Sequence, residues 1–352
     1  MILLTIDRRS LLKFLDELKR EAELIAPVQR LGGATFEEIK DIEEVNFLEG
    51  NPLSSPKQFF FPQTDELFQL RMGTFSFKEK AKRKRRILFG IRPCDVAALE
   101  FSDKFFSSEH GGYEDIYYWI RRRSTFLIGI NCLKPEESCF CFLCGSGPFA
   151  KKSYDLQLTP LGNSYLVEVG SSQGEEIVST FSDFFLSATD DEKREKEILE
   201  ERMEGEFSHK EVEIEKVTDR LLEDGFSGAL IENEFWEEIG NRCLDCGGCN
   251  YICPTCTCFS IVDKADRNLE FGERAKIWDS CNFSGFTRMA SGANPGANKR
   301  DRIKKRFFCK LLYSIENQGL LGCVGCGRCS KVCYGEIDIL KVAGEIQVNE
   351  ND

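Results

Sequence analysis

Apolar residues recur at helical spacing near the start of the chain, where Leu11, Leu12, Phe14, Leu15 and Leu18 fall on one stripe and predict a helix over about Arg8 to Leu24. Two later segments, RRILFGIRPCD and STFLIGINC, are short apolar runs that end in a polar, cysteine-bearing turn, the pattern of buried strands in a parallel sheet. Alternation returns in SYDLQLTPLGNSYLVEV, which predicts a β-hairpin turning at Gly162-Asn163. The charge-dense ATDDEKREKEILEERMEGEF follows, and its i,i+4 charge pairs suit a solvated helical linker. In the last third, RDRIKKRFFCKLLYSIENQG carries apolar residues at helical spacing, and DSCNFSGFTRMASGANPG before it reads as a helix and a glycine-rich turn. No repeat of solenoid period and no low-complexity tail interrupts these patterns.

Composition narrows the chemistry. The chain has 352 residues, 41% of them hydrophobic, enough for a sizeable core. Its formal net charge of −12 argues against a general binder of nucleic acid or anionic membranes, because such contacts need Lys and Arg against phosphate. The basic run KEKAKRKRR at 78–86 is short and leads directly into a strand, so a solvated loop accounts for it. MILLTIDRR lacks the apolar core of a signal peptide, and no stretch of 18 or more apolar residues occurs, so a cytoplasmic protein without membrane insertion is expected. Seventeen cysteines stand against two histidines, His110 and His209. Cysteine and serine triads and His-rich zinc sites all need imidazole, whereas clustered thiols in a reducing compartment are more often metal ligands than disulfides.

The cysteines are not spread evenly. Cys243-x2-Cys246-x2-Cys249-x3-Cys253-Pro254 is answered by Cys323-x2-Cys326-x2-Cys329-x3-Cys333. Three thiolates two residues apart can wrap three corners of a cubane while the fourth points to a neighbouring one. The spacing therefore predicts two [4Fe–4S] clusters, the first on Cys243, Cys246, Cys249 and Cys333, the second on Cys323, Cys326, Cys329 and Cys253. Zinc also takes Cys-x2-Cys pairs, but it leaves the regular x2-x2-x3 runs unexplained. Gly247, Gly248, Gly325 and Gly327 suit positive φ and close backbone approach to sulfur. The 64 residues between Cys258 and Cys323 exceed a bacterial ferredoxin hairpin, and helices are expected to fill them. The expected class is α+β: a mixed α/β domain over 1–185, a charged helical linker over 186–230 and an α-helical ferredoxin domain over 231–352.

A candidate third [4Fe–4S] site is less regular. Cys94 and Cys132 sit at the ends of the two predicted strands, and the carboxyl ends of parallel strands form the crevice of open α/β sheets. The loop after Cys132 can fold Cys139 and Cys141 over the same crevice. Redox-inert buried thiols and zinc are the alternatives there. Asp95 could accept a hydrogen bond behind the site or serve as an unusual ligand, but as a residue opening a helix it reads more simply as an N-cap. Cys256 and Cys258 read as packing against the second cluster, and Cys281 and Cys309 as core residues.

CLDCGGCNYICPTCTCF, WDSCNFSGFTRMASGANPG and CVGCGRCSKVC resemble the two-cluster electron-transfer subunit family of cytosolic sulfhydrogenase β subunits and anaerobic sulfite reductase A subunits. SPKQFFFPQTDELF, FGIRPCDVAALE and INCLKPEESCFCFLCGSGP resemble the same family, so the match covers about 50 to 340. Tyr334 stands where ferredoxins commonly place proline, and Cys144 is a further departure. The resemblance implies a non-catalytic subunit of a hetero-oligomer. It would pass electrons between a flavin subunit handling NAD(P) and a catalytic subunit such as a nickel–iron hydrogenase or a sirohaem sulfite reductase. In agreement, no Walker loop, no strand-linked G-x-G-x-x-G and no recognisable acid/base pair is found, and GSGP at 145–148 is too short for a nucleotide loop. The alternative is an iron–sulfur reductase or redox sensor acting through the N-terminal cysteine-lined crevice.

Overall fold

The first apolar stripe folds as a helix but ends early. In a computed structural model that describes residues 2–47, 50–71, 73–74, 76–79, 83–109, 112–207, 212–224 and 233–348, strand β1 (Leu3–Asp7) runs into helix α1 (Arg8–Glu21). The Asp7 carboxylate caps the helix by accepting from the backbone N–H groups of Arg9 and Ser10 at 2.9 and 3.0 Å. Leu11, Phe14, Leu15 and Leu18 are buried and Leu12 is partly covered. The expected end at Leu24 is corrected, because Leu24 already belongs to strand β2 (Glu23–Arg30). Leu24 to Val28 form an unbroken buried run with Pro27 inside it, which suits a strand covered on both faces and disfavours a helix.

Loss of the cap is testable. Asp7→Ala is expected to lower stability by about 1 kcal/mol. The Ser10 hydroxyl and the backbone N–H groups hold the Asp7 carboxyl below its ordinary 3.8. That contribution is complete above 3.8 and disappears as pH falls through the depressed folded value. Denaturant unfolding of both proteins at neutral and strongly acidic pH checks it, and the gap between them should close in acid.

The N-terminal half continues through β3 (Gly33–Glu38), β4 (Thr64–Arg71), β5 (Ser76–Glu79), β6 (Arg86–Ile91), α2 (Pro93–Phe105), α3 (Ile116–Arg122) and β7 (Thr125–Ile130). Then come β8 (Leu156–Leu161), β9 (Ser164–Val169), α4 (Ser172–Thr180), β10 (Leu186–Ser187) and α5 (Asp190–Phe207). Eight strands form one mixed sheet in the order β10-β1-β9-β8-β7-β6-β2-β3. As the apolar runs predict, β6 and β7 are parallel neighbours, with Leu88 opposite Leu127. The β8–β9 hairpin turns at Gly162-Asn163, where Gly162 takes φ +65°. One face of the sheet packs on α1, whose Phe14 meets Phe181 and Phe185 edge-on at 5.6 and 5.1 Å. The other face packs on α2 and α3 through Val96, Leu99 and Tyr118.

Helix α5 is the predicted charged helix, yet it is docked on the sheet. Met203 is fully buried, and Lys196 reaches the buried Glu168 at 3.0 Å. His110, His209, Lys80 to Lys82 of the basic run, and 208–211 and 225–230 of the expected linker lie outside the described residues.

The C-terminal half comprises α6 (Ile214–Asp224), α7 (Asn233–Arg242), α8 (Gly248–Tyr251), β11 (Phe259–Ala265), β12 (Phe271–Trp278) and α9 (Lys299–Phe308). A π turn over Cys309–Tyr313 carries α9 into α10 (Ser314–Gln318), followed by α11 (Arg328–Lys331) and α12 (Ile339–Val348). Trp236, Phe307, Phe308, Leu221, Val342 and Ile346 form its apolar core. Two expectations are corrected here. Helices do not fill the whole interval from Cys258 to Cys323: β11 and β12 form a hairpin whose turn is closed by the Asp266 carboxylate accepting from Glu270 N–H at 2.8 Å. Residues 279–298 are turns with no helix, since Gly285, Gly292, Pro295 and Gly296 interrupt the run.

That hairpin joins the halves. A second, antiparallel sheet has the order β11-β12-β4-β5, so strands some 200 residues apart in sequence are hydrogen-bonded. Lys276 of β12 is buried against Asp115 at 2.5 Å and Asp65 at 3.9 Å, which ties the register to the α3 segment. The class is α+β. Among the described residues no helix is long and apolar enough to cross a membrane.

Candidate iron–sulfur sites

Left-handed backbone at Asp245 (φ +54°) and Gly247 (φ +71°) coils the segment after α7 tightly enough to turn several thiols inward. Cys243, Cys246, Cys249 and Cys333, the predicted first set, line one pocket together with Cys329 of the second set, and its wall includes Ile303 and Phe307. Backbone N–H groups of Asp245 and Ile337 point at Cys243 Sγ and Cys333 Sγ, each at 3.4 Å, and Asn282 Nδ2 donates to Cys249 Sγ at 3.2 Å. Such donors stabilise thiolate and suit sulfur ligands. Gly248 departs from expectation: it opens α8 in ordinary helical conformation.

The second set, Cys253, Cys323, Cys326 and Cys329, lies deeper. Gly325 (φ +57°) and Gly327 (φ +70°) are required twice over, because a Cβ on them would stand 2.5 Å from the Phe140 carbonyl and 2.4 Å from the Ser138 carbonyl oxygen. Phe140 N–H donates to Gly325 O at 2.7 Å, so this motif is pressed directly against the loop that carries Cys139 and Cys141. Burial pushes the Cys329 thiol up to about 12 and Cys326 upward as well. Thiols this resistant to ionisation become thiolates when a metal replaces the proton. Cys144, from the neighbouring turn, lies beside Cys323.

The third set also converges. Cys94 is the second residue of α2, Cys132 follows β7, and both stand with Cys139 and Cys141 around a small pocket at the carboxyl ends of β6 and β7. Asn51 binds the edge of this group: its Nδ2 reaches Cys139 Sγ at 3.5 Å and Cys326 O at 3.3 Å, and its Oδ1 accepts from Cys94 Sγ at 3.5 Å. Nothing in the sequence singles Asn51 out. Asp95 is not the N-cap expected of it. Arg92 occupies that position, while the Asp95 carboxylate accepts two bonds from Arg328 at 2.6 and 2.7 Å. Both side chains are buried, at 1% and 2% exposure, and Arg328 also donates to Pro52 O at 2.9 Å. The helix carrying Cys94 is thus clamped to the residue between Cys326 and Cys329.

Of the other thiols, Cys256 and Cys281 are buried, Cys258 is half-buried, and Cys309, expected in the core, is exposed where the π turn begins. Among the described residues no group of three or more His, Cys, Asp or Glu side chains is placed to hold a single metal ion.

A family model described as a 4Fe-4S dicluster domain matches residues 242–337. Over 335 residues the chain is 31% identical to sulfhydrogenase 2 subunit beta of Pyrococcus furiosus, covering 95% of each chain. No solved structure matches significantly.

Proposed function

The chain belongs to the iron–sulfur electron-transfer subunit family that contains the sulfhydrogenase β subunit, and we propose that it relays single electrons within a soluble hetero-oligomer, between a flavin/NAD(P)-binding subunit and a catalytic subunit of hydrogenase or sulfite/sulfur reductase type. In this reading Cys243, Cys246, Cys249 and Cys333 hold one [4Fe–4S] cluster and Cys253, Cys323, Cys326 and Cys329 a second. Cys94, Cys132, Cys139 and Cys141 hold a third. The observation that carries the reading is the contact between sets: Cys139 Sγ lies 3.6 Å from Cys326 O, and Phe140 is bonded to Gly325.

The bound clusters supply reversible one-electron oxidation and reduction. The protein's own residues do the rest. The cysteines bind, and the backbone N–H groups of Asp245, Gly325 and Ile337 aim at sulfur and favour its charged form. The buried Arg306 and Lys310 guanidinium and ammonium groups oppose the negative charge of the thiolates. Val324, Ala98 and Phe142 close the space between the second and third sets and keep water out.

Purified anaerobically from its source cells, the tagged chain is expected to bring down a flavin subunit and a catalytic redox subunit. The visible absorbance of the complex should bleach with NAD(P)H, and that of the chain alone should not. Recovery of the chain with neither subunit would sink the relay reading.

A further inference from the structure

Beyond the three sets and Cys144, four cysteines remain, and they do not scatter. Cys256 and Cys258 belong to the CPTCTC run, Cys281 follows β12 and Cys309 opens the π turn, yet all four line a single pocket. The Cys258 thiol lies beside that of Cys281, and Asn250 Nδ2 donates to Cys281 Sγ at 3.0 Å. With the three predicted sets and Cys144 these four account for all seventeen cysteines, and Cys256 also lies beside Cys253 of the second set.

Charge points the same way. Lys57, Arg306 and Lys310 are buried beside this cavity at 6%, 6% and 3% exposure. Among the described residues none of them is ion-paired with a carboxylate. Lys310 donates to Thr255 Oγ1 at 2.9 Å, Arg306 to Asn250 Oδ1 at 2.8 Å and Lys57 to Cys256 O at 3.2 Å, with its ammonium 4.0 Å above the Trp278 ring. Buried cations are favoured by a nearby anion, and the leading groups that oppose them are thiols of this cavity and of the first and second sets: Cys256, Cys253 and Cys258 for Lys57, Cys253, Cys256 and Cys309 for Lys310, and Cys249, Cys329 and Cys256 for Arg306. Four thiolates around an iron–sulfur core would add to the negative charge that the first and second sets place beside these cations.

We propose that Cys256, Cys258, Cys281 and Cys309 hold a further [4Fe–4S] cluster, ligation exchanging four S–H protons for four Fe–S bonds. Asn250 joins this site to the first quartet, since its Oδ1 also accepts from Cys249 Sγ at 3.6 Å. Only the purpose of the cluster rests on the relay reading; the ligand set rests on the thiols and the cations.

Native mass spectrometry of the full chain, purified anaerobically, counts whole clusters. Cys258→Ser/Cys281→Ser is expected to carry one cluster fewer than wild type, with about four fewer iron and four fewer acid-labile sulfide per chain, and with unchanged circular dichroism. Cys309→Ala, a replacement at an exposed position, should lower the count by one as well, which keeps the test open if the double variant does not fold. An unchanged cluster count in either folded variant overturns the proposal, as does zinc found in place of that iron. Failure of the chain to co-purify with partner subunits leaves the count untouched and bears on the relay reading alone.

Discussion

Asp95→Ala is expected to cost about 3–5 kcal/mol of folding stability, because it leaves the Arg328 guanidinium charged and unpaired where water does not reach. The pair is bidentate at 2.6 and 2.7 Å, and its members are 1% and 2% exposed, so no solvent screening softens the loss. The remaining partner of Arg328, Pro52 O, offers a hydrogen bond and no counter-charge. Replacing both residues, as in Asp95→Leu/Arg328→Met, should restore most of the stability, since removing a buried pair outright avoids the stranded charge. Anaerobic denaturant unfolding of the two variants measures this. A loss below about 1 kcal/mol for Asp95→Ala, the size typical of exposed pairs, would mean that water enters beside Arg328. The double variant separates a second role: if the clamp positions Cys94, the stable double variant will still lose the iron of the third set.

Cys326→Ala is expected to remove about four iron per chain and to make residues 231–352 sensitive to proteolysis, because a preformed cluster site is seldom present without its metal and ligation is coupled to folding. Cys326 is the natural choice among the eight motif cysteines. It is buried in one apolar group with Cys94, Cys139 and Cys141, so its loss should be felt in the loop of the third set as well. Limited proteolysis followed in time, with iron assayed on the same sample, gives the answer. Unchanged cleavage together with full iron content would remove Cys326 from the ligand set.

What was legible in the sequence was local. The α1 stripe, the two parallel strands, the hairpin at Gly162-Asn163 and the charged α5 helix are patterns completed within some twenty residues, and the structure contains all of them. The x2-x2-x3 cysteine runs are local too, and so the first and second sets could be written down from spacing. Non-local pairings were not readable. Asp95 and Arg328 are 233 positions apart, and Asn51 meets Cys326 across 275, so each residue looks ordinary in its own segment. The β11–β12 hairpin was missed because the cysteines on either side of it suggested a helical ferredoxin, while its pairing partner β4 lies in the other half. Cys256, Cys258, Cys281 and Cys309 come from three segments, and only the fold places them around one cavity.

The sheet shared between β4 and β12 also sets a timetable for synthesis. As the chain leaves the ribosome, β4 and β5 emerge long before Trp278, and until the hairpin arrives their open edge has no partner along the Thr64–Arg71 strand. An unpaired edge of that length invites pairing with a neighbouring nascent chain. The N-terminal half therefore cannot complete its folding domain by domain as it is made. It must wait for about 200 further residues, through a contact of high sequence separation, and that wait favours a chaperone that covers the edge during production.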